Sequence, residues 1–484
     1  MLLATVSLAG CQVGPTFEPP VVAAPAAWGP TPKAPSRPIP EESDPDWWQA
    51  FRDPLLTDLI ERLAAQNLDL KAATERVVQG AAQREVVASR GLPHIEGQSI
   101  DFYNRTSRNS FSTLFQPAPG APQEFPYYQQ GLQMSWELDL FGRVRRAVEA
   151  QDANTLAAVE NRNGVALAAM AELAQSYVQV RGVQARIAVA QRNLVLAREN
   201  IALVETRFAN GAANNLDRAQ ARSQEAMIEQ TLPPLRTQEA SMINTVGFLL
   251  GEAPRALEGA LRPPKALPRL PRSVAVGLPM TLLRRRPDIR EAEARLRAAV
   301  AETGAAEAEF YPDIDLLGTI NVQSLRLSDL FTLPSRAFNV GPNISIPIFE
   351  GGRLRGNLAL RESQQREAAI AFQRTVLRAW QETDNALTAY AETQRRALAL
   401  IRAVEQNQIA LQAARQRYVE GLVDFLNVNT THAQLLQSQN ELADSHTQAA
   451  TALVTLYRAL GGGWQLAALR DVPAGRGRVL AGQP

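Results

Sequence analysis

GLQMSWELDLFGR, residues 131–143, alternates strictly between apolar and polar side chains. The apolar set is Leu132, Met134, Trp136, Leu138 and Leu140, and the polar set is Gln133, Ser135, Glu137 and Asp139. A period of two predicts a β-strand, because successive side chains of a strand point to opposite faces. One face is apolar enough to meet lipid, and the other is acidic enough to line water. The alternation stops at Gly142, where a helical period begins, so the stretch predicts a strand-to-helix junction.

The junction occurs a second time, in a weaker form, at residues 341–353 with the sequence GPNISIPIFEGGR. The residues that recur 210 positions later are Gly131, Ser135, Gly142, Arg143, Gly211 and Gly251, which return as Gly341, Ser345, Gly352, Arg353, Gly421 and Gly461. Upstream of the strands the offset is 219, as between Pro93 and Pro312. Insertions concentrate in exposed loops, so the change of offset indicates a longer loop between the strands of the first copy. The sequence therefore predicts two structural repeats.

Each junction leads into a long helical segment. Residues 143–210 contain no proline, and about 68 residues of helix would span ~100 Å. The apolar positions near its end have a period of 3.5: Ile187, Ala190, Leu194, Ala197, Ile201, Val204 and Phe208. That period predicts coiled-coil packing against a partner helix, and helices in globular cores are much shorter. The second copy has a similar series, from Ala397 to Tyr418.

These signals predict a mainly α fold with a small transmembrane β part. The predicted domains are a signal peptide remnant at 1–10, a lipid-anchored proline-rich strap at 11–50, the first repeat at 51–260, an equatorial linker at 261–280, the second repeat at 281–462 and a C-terminal tail at 463–484. The first repeat holds strands at about 94–104 and 127–140 and a helical hairpin at 142–251. The second holds strands at about 313–323 and 338–349 and a hairpin at 352–461. Asp53 and Pro54 are typical of a helix start, with Asp as the N-cap.

The only cysteine, Cys11, follows the apolar run that ends in Leu8-Ala9-Gly10. This pattern resembles a bacterial lipobox, in which the cysteine becomes the lipidated first residue; the alternative is an ordinary buried cysteine. Gln12 stands where an acidic residue would indicate retention at the inner membrane. The pattern therefore favours a lipid anchor in the outer membrane.

The composition argues against several classes of function. A net charge of +1 gives no electrostatic reason to expect nucleic acid as a partner. Three histidines and one cysteine argue against a metal site with several such ligands, so we expect no metal and no cofactor. The sequence has no nucleophile–base set and no phosphate-binding loop, so we do not expect an enzyme.

The number of predicted strands requires more than one chain. Membrane β-barrels have about eight strands or more, and an open sheet edge cannot face lipid. Four strands cannot close, whereas two chains would supply eight and three would supply twelve. The pattern itself leaves the number of chains open.

Several motifs together resemble the TolC-like outer-membrane efflux proteins, and within them the lipoprotein branch that serves resistance-nodulation-division pumps. They are Trp47-Trp48-x-x-Phe51-x-Asp53-Pro54, Asp139-Leu140-Phe141-Gly142-Arg143, Leu282-Leu283-x-Arg285-Arg286-Pro287-Asp288-Ile289, and the doubled Arg-aromatic-x-x-Gly at 207 and 417. The resemblance covers residues 11 to about 464. It implies a homotrimer with a 12-stranded β-barrel that continues into an α-helical periplasmic barrel. It also implies a periplasmic adaptor protein and an inner-membrane transporter as partners, with outer-membrane lipid around the barrel.

The resemblance also assigns roles to the helix tips, at 207–220 and 417–430. The residues expected to contact the adaptor are Arg207, Phe208, Gly211, Arg417, Tyr418 and Gly421, and the expected periplasmic gate is Leu426, Thr430, Asp424 and Asp217. Glu137 and Asp139 are expected to line the barrel lumen. Related channels often have an acidic ring at the position of Thr430, and this chain departs from that pattern. The alternative for all tip residues is that they only cap helices.

The expected function is a gated exit duct for drugs or other small toxic compounds. A type I channel for secreted polypeptides is the neighbouring alternative, and the lipobox and the Trp47-Trp48 start favour the pump branch. A lipid-anchored coiled-coil scaffold without a pore is an alternative of another class, and the amphipathic strand argues against it. The sequence does not identify the exported compounds.

Overall fold

A computed structural model describes residues 12–29, 34–41, 44–105, 107 and 124–470, and these are mostly helical. The helices are α1 (Pro54–Gln66), α2 (Leu68–Ala88), α3 (Arg143–Ala209), α4 (Asn215–Glu229), α5 (Leu232–Leu249), α6 (Glu258–Leu261), α7 (Leu282–Arg285), α8 (Pro287–Ala308), α9 (Arg353–Val419), α10 (Phe425–Ala459) and α11 (Gln465–Arg470). The strands are β1 (Arg37–Ile39), β2 (His94–Arg105), β3 (Glu124–Glu137), β4 (Ser273–Ala275), β5 (Asp313–Ser324) and β6 (Arg336–Ser345). Within the described ranges, every helix is too short or too polar to serve as a membrane span.

The described chain divides into two compact units. The first contains the described residues up to Pro20, together with Val77–Ala158 and Ala292–Phe372. The second contains the described parts of Val21–Arg76, Val159–Glu291 and Gln373–Arg470. The first unit holds the larger sheet, and the second holds the helix tips, so we describe each by itself.

The first unit contains a four-stranded antiparallel sheet in the order β2-β3-β5-β6. Its register aligns Leu132 with Ile320 and Ile320 with Phe338, and these three apolar side chains are 56%, 71% and 82% exposed. The neighbouring row aligns Gln133 with Thr319 and Asn339. The sheet therefore has an exposed apolar row beside a polar row, and its outer strands β2 and β6 have no further strand partner among the described residues.

The strand that we predicted to reach Leu140 ends at Glu137, so the prediction that Asp139 belongs to its polar face was wrong. Leu138 still donates its backbone N–H to the carbonyl of Ile314. The Asp139 carboxylate instead accepts from the backbone N–H groups of Val144 and Arg145, at 3.1 and 2.9 Å. The first N–H groups of a helix lack partners within it, and Asp139 supplies one. The same carboxylate thus ends the strand and starts α3.

The two longest helices, α3 and α9, have 67 residues each, and their bounds are offset by 210 positions. The segment that returns from α9 is one helix, α10, whereas the segment that returns from α3 is broken into α4 and α5 at Gln230 and Thr231. Pro233 and Pro234 lie in the first turn of α5. Proline lacks the N–H that a helix interior requires, so the second helix begins afresh at this point.

In the second unit, an aromatic cluster holds the start of the first helix against the end of the last long one. Trp47 stacks on Tyr457 with ring centres 5.2 Å apart and donates its indole N–H to the carbonyl of Gly462, at 3.1 Å. Trp48 and Phe51 are also buried. The predicted cap is confirmed: Asp53 accepts from the backbone N–H of Leu55, and α1 begins at Pro54. The aromatic pair therefore fixes the chain where the proline-rich segment meets the helices.

A short parallel pairing between β1 and β4 joins the predicted proline-rich strap to the predicted equatorial linker. Arg37 aligns with Ser273 and Ile39 with Ala275. Ser36, next to β1, donates its backbone N–H to the side chain of Gln394, at 3.0 Å. The segment before α1 is thereby held on the body of the second unit through specific hydrogen bonds.

Candidate functional site

The tips of α3 and α9 have the same backbone structure. Gly211 and Gly421 have φ angles of +71° and +78°, a conformation that glycine adopts without strain. At the first tip, Gly211 and Ala212 donate N–H groups to the carbonyls of Phe208 and Arg207. At the second, Gly421 and Leu422 donate to Tyr418 and Arg417. Each tip is therefore a Schellman motif, which pairs carbonyl groups that the helix end leaves free.

Arg207 connects the first tip to the second. Its guanidinium donates to the carbonyl of Val419 at 2.6 Å and lies 4.8 Å from the centre of the Tyr418 ring. The last carbonyls of a helix carry partial negative charge, so the end of α9 attracts the cation. The sequence placed Arg207 at a tip, and the structure adds that this side chain joins the two tips.

The Tyr418 side chain lies in a small apolar cluster behind the tips. It meets Phe425 edge to face at 5.4 Å, and Val204, Leu411 and Val428 belong to the same cluster. Burial raises the pKa of Tyr418, the Asp217 carboxylate adds to that rise, and Arg207 opposes it. The cluster joins residues of α3, α4, α9 and α10.

Asp217 caps a helix in the first tip. The Asn214 side chain accepts from the N–H groups of Leu216 and Asp217, and the Asp217 carboxylate accepts from the Asn214 N–H at 3.2 Å. This is a reciprocal capping box, so the carboxylate is already engaged. The contacts of Asp217 in the structure agree with the alternative that it caps α4.

The first tip also contains a small charged network. Arg218 lies 4.4 Å from the Phe208 ring centre and pairs with Glu205 at 2.9 Å. Arg222 pairs with the other Glu205 oxygen, also at 2.9 Å. Hydrogen bonding from Arg218 lowers the pKa of Glu205 despite some burial. Phe208, an expected contact for an adaptor, is thus half-covered by its own hairpin.

The expected gate residues of the second tip lie on the first turns of α10. Leu426 is 56% exposed, and the Thr430 hydroxyl donates to the Leu426 carbonyl at 2.8 Å, which places Thr430 one turn further along the helix. Asp424 precedes the helix in extended conformation, and its side chain makes no capping hydrogen bond. Arg417 and Gly421 are exposed. The second tip therefore presents an exposed apolar side chain, a hydroxyl and a carboxylate that does not cap α10.

Sequence reasoning missed a buried polar group between α3 and α10. His432 is fully buried, and its Nε2 lies 3.1 Å from Asn193 Oδ1. Asn193 Nδ2 donates to Gln439 Oε1 at 2.7 Å. Burial, and then the positive charge of Arg415, lower the pKa of His432 to about 4. His432 and Asn193 meet only through tertiary packing, so the residues around each of them contain no local signal for this group.

At the strand-to-helix junction of the first unit, Glu137 and Arg143 form an ion pair at 2.7 Å. Arg143 also reaches Asp313 on the neighbouring strand β5, at 3.4 Å. Gly142 has a φ angle of +87°, which lets the backbone turn sharply into α3. The junction thus holds Glu137 in a charged cluster rather than leaving its carboxylate free.

The predicted lipid anchor, Cys11, lies outside the described residues, but the chain just after it is held at the same junction. Val13 donates its N–H to the carbonyl of Phe141, and Arg146 donates to the carbonyls of Val13 and Gly14, at 3.1 and 3.0 Å. Nowhere in the described part of the chain do three or more His, Cys, Asp or Glu side chains come together as a metal site would need.

Known proteins resemble this chain over almost its whole length. Residues 59–252 and 278–462 match the model of the family described as outer membrane efflux protein. Outer membrane protein OprJ of Pseudomonas aeruginosa is 33% identical over 468 residues, which cover 96% of this chain and 95% of OprJ. The probable outer membrane lipoprotein SilC of Salmonella typhimurium is 29% identical over 466 residues, 94% of this chain and 96% of SilC. The solved outer-membrane channel OprN matches with a TM-score of 0.85 and 33% identity, over 94% of this chain and 100% of OprN.

Proposed function

The chain belongs to the outer membrane efflux protein family, and we propose that it forms the exit duct of a tripartite efflux pump. It is an outer-membrane protein, and it conducts drugs or other small toxic compounds passively to the outside. The family consists of channel proteins, and the chain's role is to provide a gated path rather than to perform chemistry.

This proposal rests on one observation: the chain contains both an amphipathic sheet and helices of unusual length. The sheet aligns exposed Leu132, Ile320 and Phe338 in one row, beside the polar row of Gln133, Thr319 and Asn339. A membrane strand requires this alternation, with apolar residues toward lipid and polar residues toward the lumen. The helices α3 and α9 are far longer than a globular core would need.

The chain acts as a homotrimer in this proposal. The outer strands of the sheet, β2 and β6, would expose unpaired N–H and C=O groups to lipid, which is strongly unfavourable. Three copies that pair β6 of one with β2 of the next give 12 strands and no free edge. Two structural repeats in each chain, each with two strands and one long hairpin, then supply the barrel and the periplasmic tunnel.

The pump requires two partners besides the membrane. We assign adaptor contact to the tips around Gly211 and Gly421, because the exposed Arg417 and partly covered Phe208 lie there. An inner-membrane resistance-nodulation-division transporter drives the export and selects the compounds. Leu426 forms the apolar constriction of the periplasmic gate, and Thr430 supplies a neutral ring where related channels often have an acidic one.

Lipidation at Cys11 anchors the chain in this proposal. The residues just after Cys11 lie beside the start of α3, because Val13 and Gly14 form hydrogen bonds with Phe141 and Arg146. An acyl chain on Cys11 would therefore enter the outer membrane next to the barrel. Cys11→Ser should abolish acyl labelling, and an unchanged label would refute the anchor without affecting the duct.

Reconstitution into planar bilayers tests the duct itself. The purified wild-type chain should give few conducting events while its tips are closed, and Leu426→Ala should raise the open probability. A matched Leu398→Ala change at an exposed site on α9, away from the tip, should leave conductance as in the wild type. If neither the wild type nor any tip variant conducts, the chain is not a duct.

A further inference from the structure

The loop that joins β5 to β6, residues 325–335, lies at the end of the sheet away from the helices. The helix α8 precedes β5 and α9 follows β6, so the loop connects the opposite ends of these two strands. In the duct proposed above the helices are periplasmic, which places this loop at the outer surface of the membrane. We call the loop together with Arg336, the first residue of β6, the outer rim.

The apolar row of the sheet stops at the outer rim. On β6 this row contains the exposed side chains of Ile344 and Phe338, and the next residue on the same face is Arg336. The eight-residue step from Ile344 to Arg336 covers about 27 Å of strand, or about 20 Å along the membrane normal at the usual tilt. Ile346, just after the strand, is also exposed and extends the series toward the ~25 Å height of a membrane band. Arg336 therefore lies where lipid head groups begin.

The outer rim carries two arginines without an acidic partner. Arg326 and Arg336 are exposed, and neither side chain has a hydrogen bond or an ion pair with any residue that the structure describes. The acid of the loop, Asp329, has its carboxylate engaged by a neighbouring hydroxyl at 2.9 Å. By contrast, Arg105 at the same end of β2 pairs with Glu124 at 3.2 Å. The positive charge of the outer rim is thus available to an anion from outside the chain.

Large apolar side chains surround these arginines. Four of them are more than half exposed: Leu325, Leu327, Phe331 and Leu333. The loop that presents them is ordered by the Asp329 carbonyl, which accepts hydrogen bonds from the hydroxyls of Thr332 and Ser335, at 2.7 Å each, and Leu330 is fully buried. Clustered apolar exposure of this kind marks a contact with a partner or a membrane. The outer rim therefore offers cations and apolar side chains on one preformed surface.

We propose that the outer rim binds the phosphorylated glycolipid of the outer leaflet, with Arg326 and Arg336 on its phosphate groups and the apolar side chains against its acyl chains. A guanidinium forms paired hydrogen bonds with a phosphate, which its planar shape fits. A lipid that carries anionic groups directly above acyl chains matches a rim that places arginines at the end of an apolar band. This inference rests on the proposed outer-membrane duct and adds the lipid that its outer end recognises.

Binding at the outer rim should not require divalent cations. The phosphate groups of neighbouring glycolipids repel one another, and divalent cations between them relieve that repulsion. The two arginines supply positive charge directly, so they replace the metal where the lipid layer meets the protein. Binding that persists in a chelator therefore distinguishes an arginine contact from a metal bridge between phosphate and an acid such as Asp329.

Native mass spectrometry of the purified full-length protein tests the proposal with two probes. One is a diphosphorylated, acylated glucosamine disaccharide (lipid A), and the other is the same lipid without its phosphates. The wild type should bind the phosphorylated probe in a chelator and should clearly prefer it. The double variant Arg326→Gln with Arg336→Gln should bind that probe about tenfold more weakly, the loss expected for one charge-assisted hydrogen bond. Lysine at both positions should retain part of the affinity.

The matched control is the double variant Arg105→Gln with Glu124→Gln. It removes an ion pair from the same end of the sheet without changing the net charge, and it should bind the phosphorylated probe as the wild type does. Phosphatidylglycerol serves as the competitor. Weak displacement by this anionic phospholipid is expected, and displacement as effective as by the glycolipid would show a general anion surface and overturn the proposal.

Three further results would overturn it: equal binding of both probes by the wild type, loss of binding in the chelator, or wild-type affinity in the double glutamine variant. If that variant fails to assemble, the comparison of the two probes on the wild type still decides. Conductance in planar bilayers separates this inference from the duct, because the double glutamine variant should conduct as the wild type does. A chain that binds the glycolipid but conducts in no tip variant would refute the duct alone.

Discussion

The guanidinium of Arg207 lies 4.8 Å from the centre of the Tyr418 ring, so the ends of two helices that are distant in sequence meet through one side chain. Its hydrogen bond to the Val419 carbonyl is short, at 2.6 Å. Both contacts join the first hairpin to the second. If the tips form the gate, this link stabilises the closed arrangement.

Arg207→Ala should therefore favour the open gate. A hydrogen bond from a charged donor contributes about 2 kcal/mol, which corresponds to a roughly 30-fold change in the ratio of open to closed channels. Arg207→Lys keeps the charge but loses the planar group and should have a smaller effect. Single-channel recording in planar bilayers measures the open probability. Arg378→Ala, at an exposed position on α9, is the control, and a wild-type open probability in Arg207→Ala would show that the link does not gate.

Glycine substitutions should separate backbone strain from steric conflict. Gly211 and Gly461 have φ angles of +71° and +73°, so alanine is strained at both, by about 1 kcal/mol. A Cβ at 211 meets nothing within 4 Å, whereas one at 461 lies 3.0 Å from Arg286 Cγ and 3.2 Å from the Arg285 carbonyl. Gly461→Ala should therefore lower the melting temperature of the purified protein clearly more than Gly211→Ala. Equal losses would mean that the packing against Arg286 relaxes freely.

The register of the sheet predicts which side chains meet lipid. Phe338 belongs to the apolar row with Ile320, and Asn339 belongs to the polar row with Thr319. An environment-sensitive fluorophore on Phe338→Cys should emit as in lipid, and the same label on Asn339→Cys should emit as in water. Labels on Ile320→Cys and Thr319→Cys repeat the test on the neighbouring strand. The reverse pattern on both strands would overturn the assignment of the faces.

Local sequence signals predicted the helix starts and stops well. Asp53 and Pro54 begin α1 as expected, and the tips turn at Gly211 and Gly421, because capping and positive φ depend on a few adjacent residues. The end of β3 was misplaced for a related reason. The alternation of side chains continues to Leu140, but Asp139 binds the first N–H groups of α3 instead of continuing the strand. A hydrophobic pattern does not show this competition between strand and helix cap.

Features that depend on distant pairing were not predictable. His432 and Asn193 lie 239 positions apart, and nothing near either residue indicates the other. The link from Arg207 to Val419 spans 212 positions and needs both tips folded. The pairing of β1 with β4 joins two proline-rich segments without strand alternation. The sequence thus located the tips of the hairpins, and the packing of one hairpin against the other determined which residues link them.

Two changes in α10 should alter conduction in different ways. Leu426→Ala removes an exposed apolar side chain from the proposed constriction and should raise conductance with little change in ion preference.

Thr430→Asp introduces a carboxylate one turn away, and a ring of such charges should raise cation over anion permeability. Reversal potentials in a salt gradient measure the second effect. Thr430→Asn adds no charge and serves as the control, and a shift of similar size in Thr430→Asn would refute the electrostatic explanation.

His432 should make the packing of the two hairpins sensitive to acid. Burial, and then the charge of Arg415, lower its pKa from 6.5 to about 4, so the folded chain keeps the imidazole neutral while the unfolded chain takes up a proton near pH 6.5. The contribution of His432 to the free energy of unfolding is fully present above about pH 6.5. It falls by about 3 kcal/mol in total as the pH drops toward 4. The melting temperature should therefore decline between pH 7 and 4.5 more steeply in the wild type than in His432→Asn. His446→Asn, on the same helix, should flatten the slope less than His432→Asn, because burial lowers the pKa of His446 as well but to a smaller extent. An unchanged slope in His432→Asn would assign the acid sensitivity to other groups.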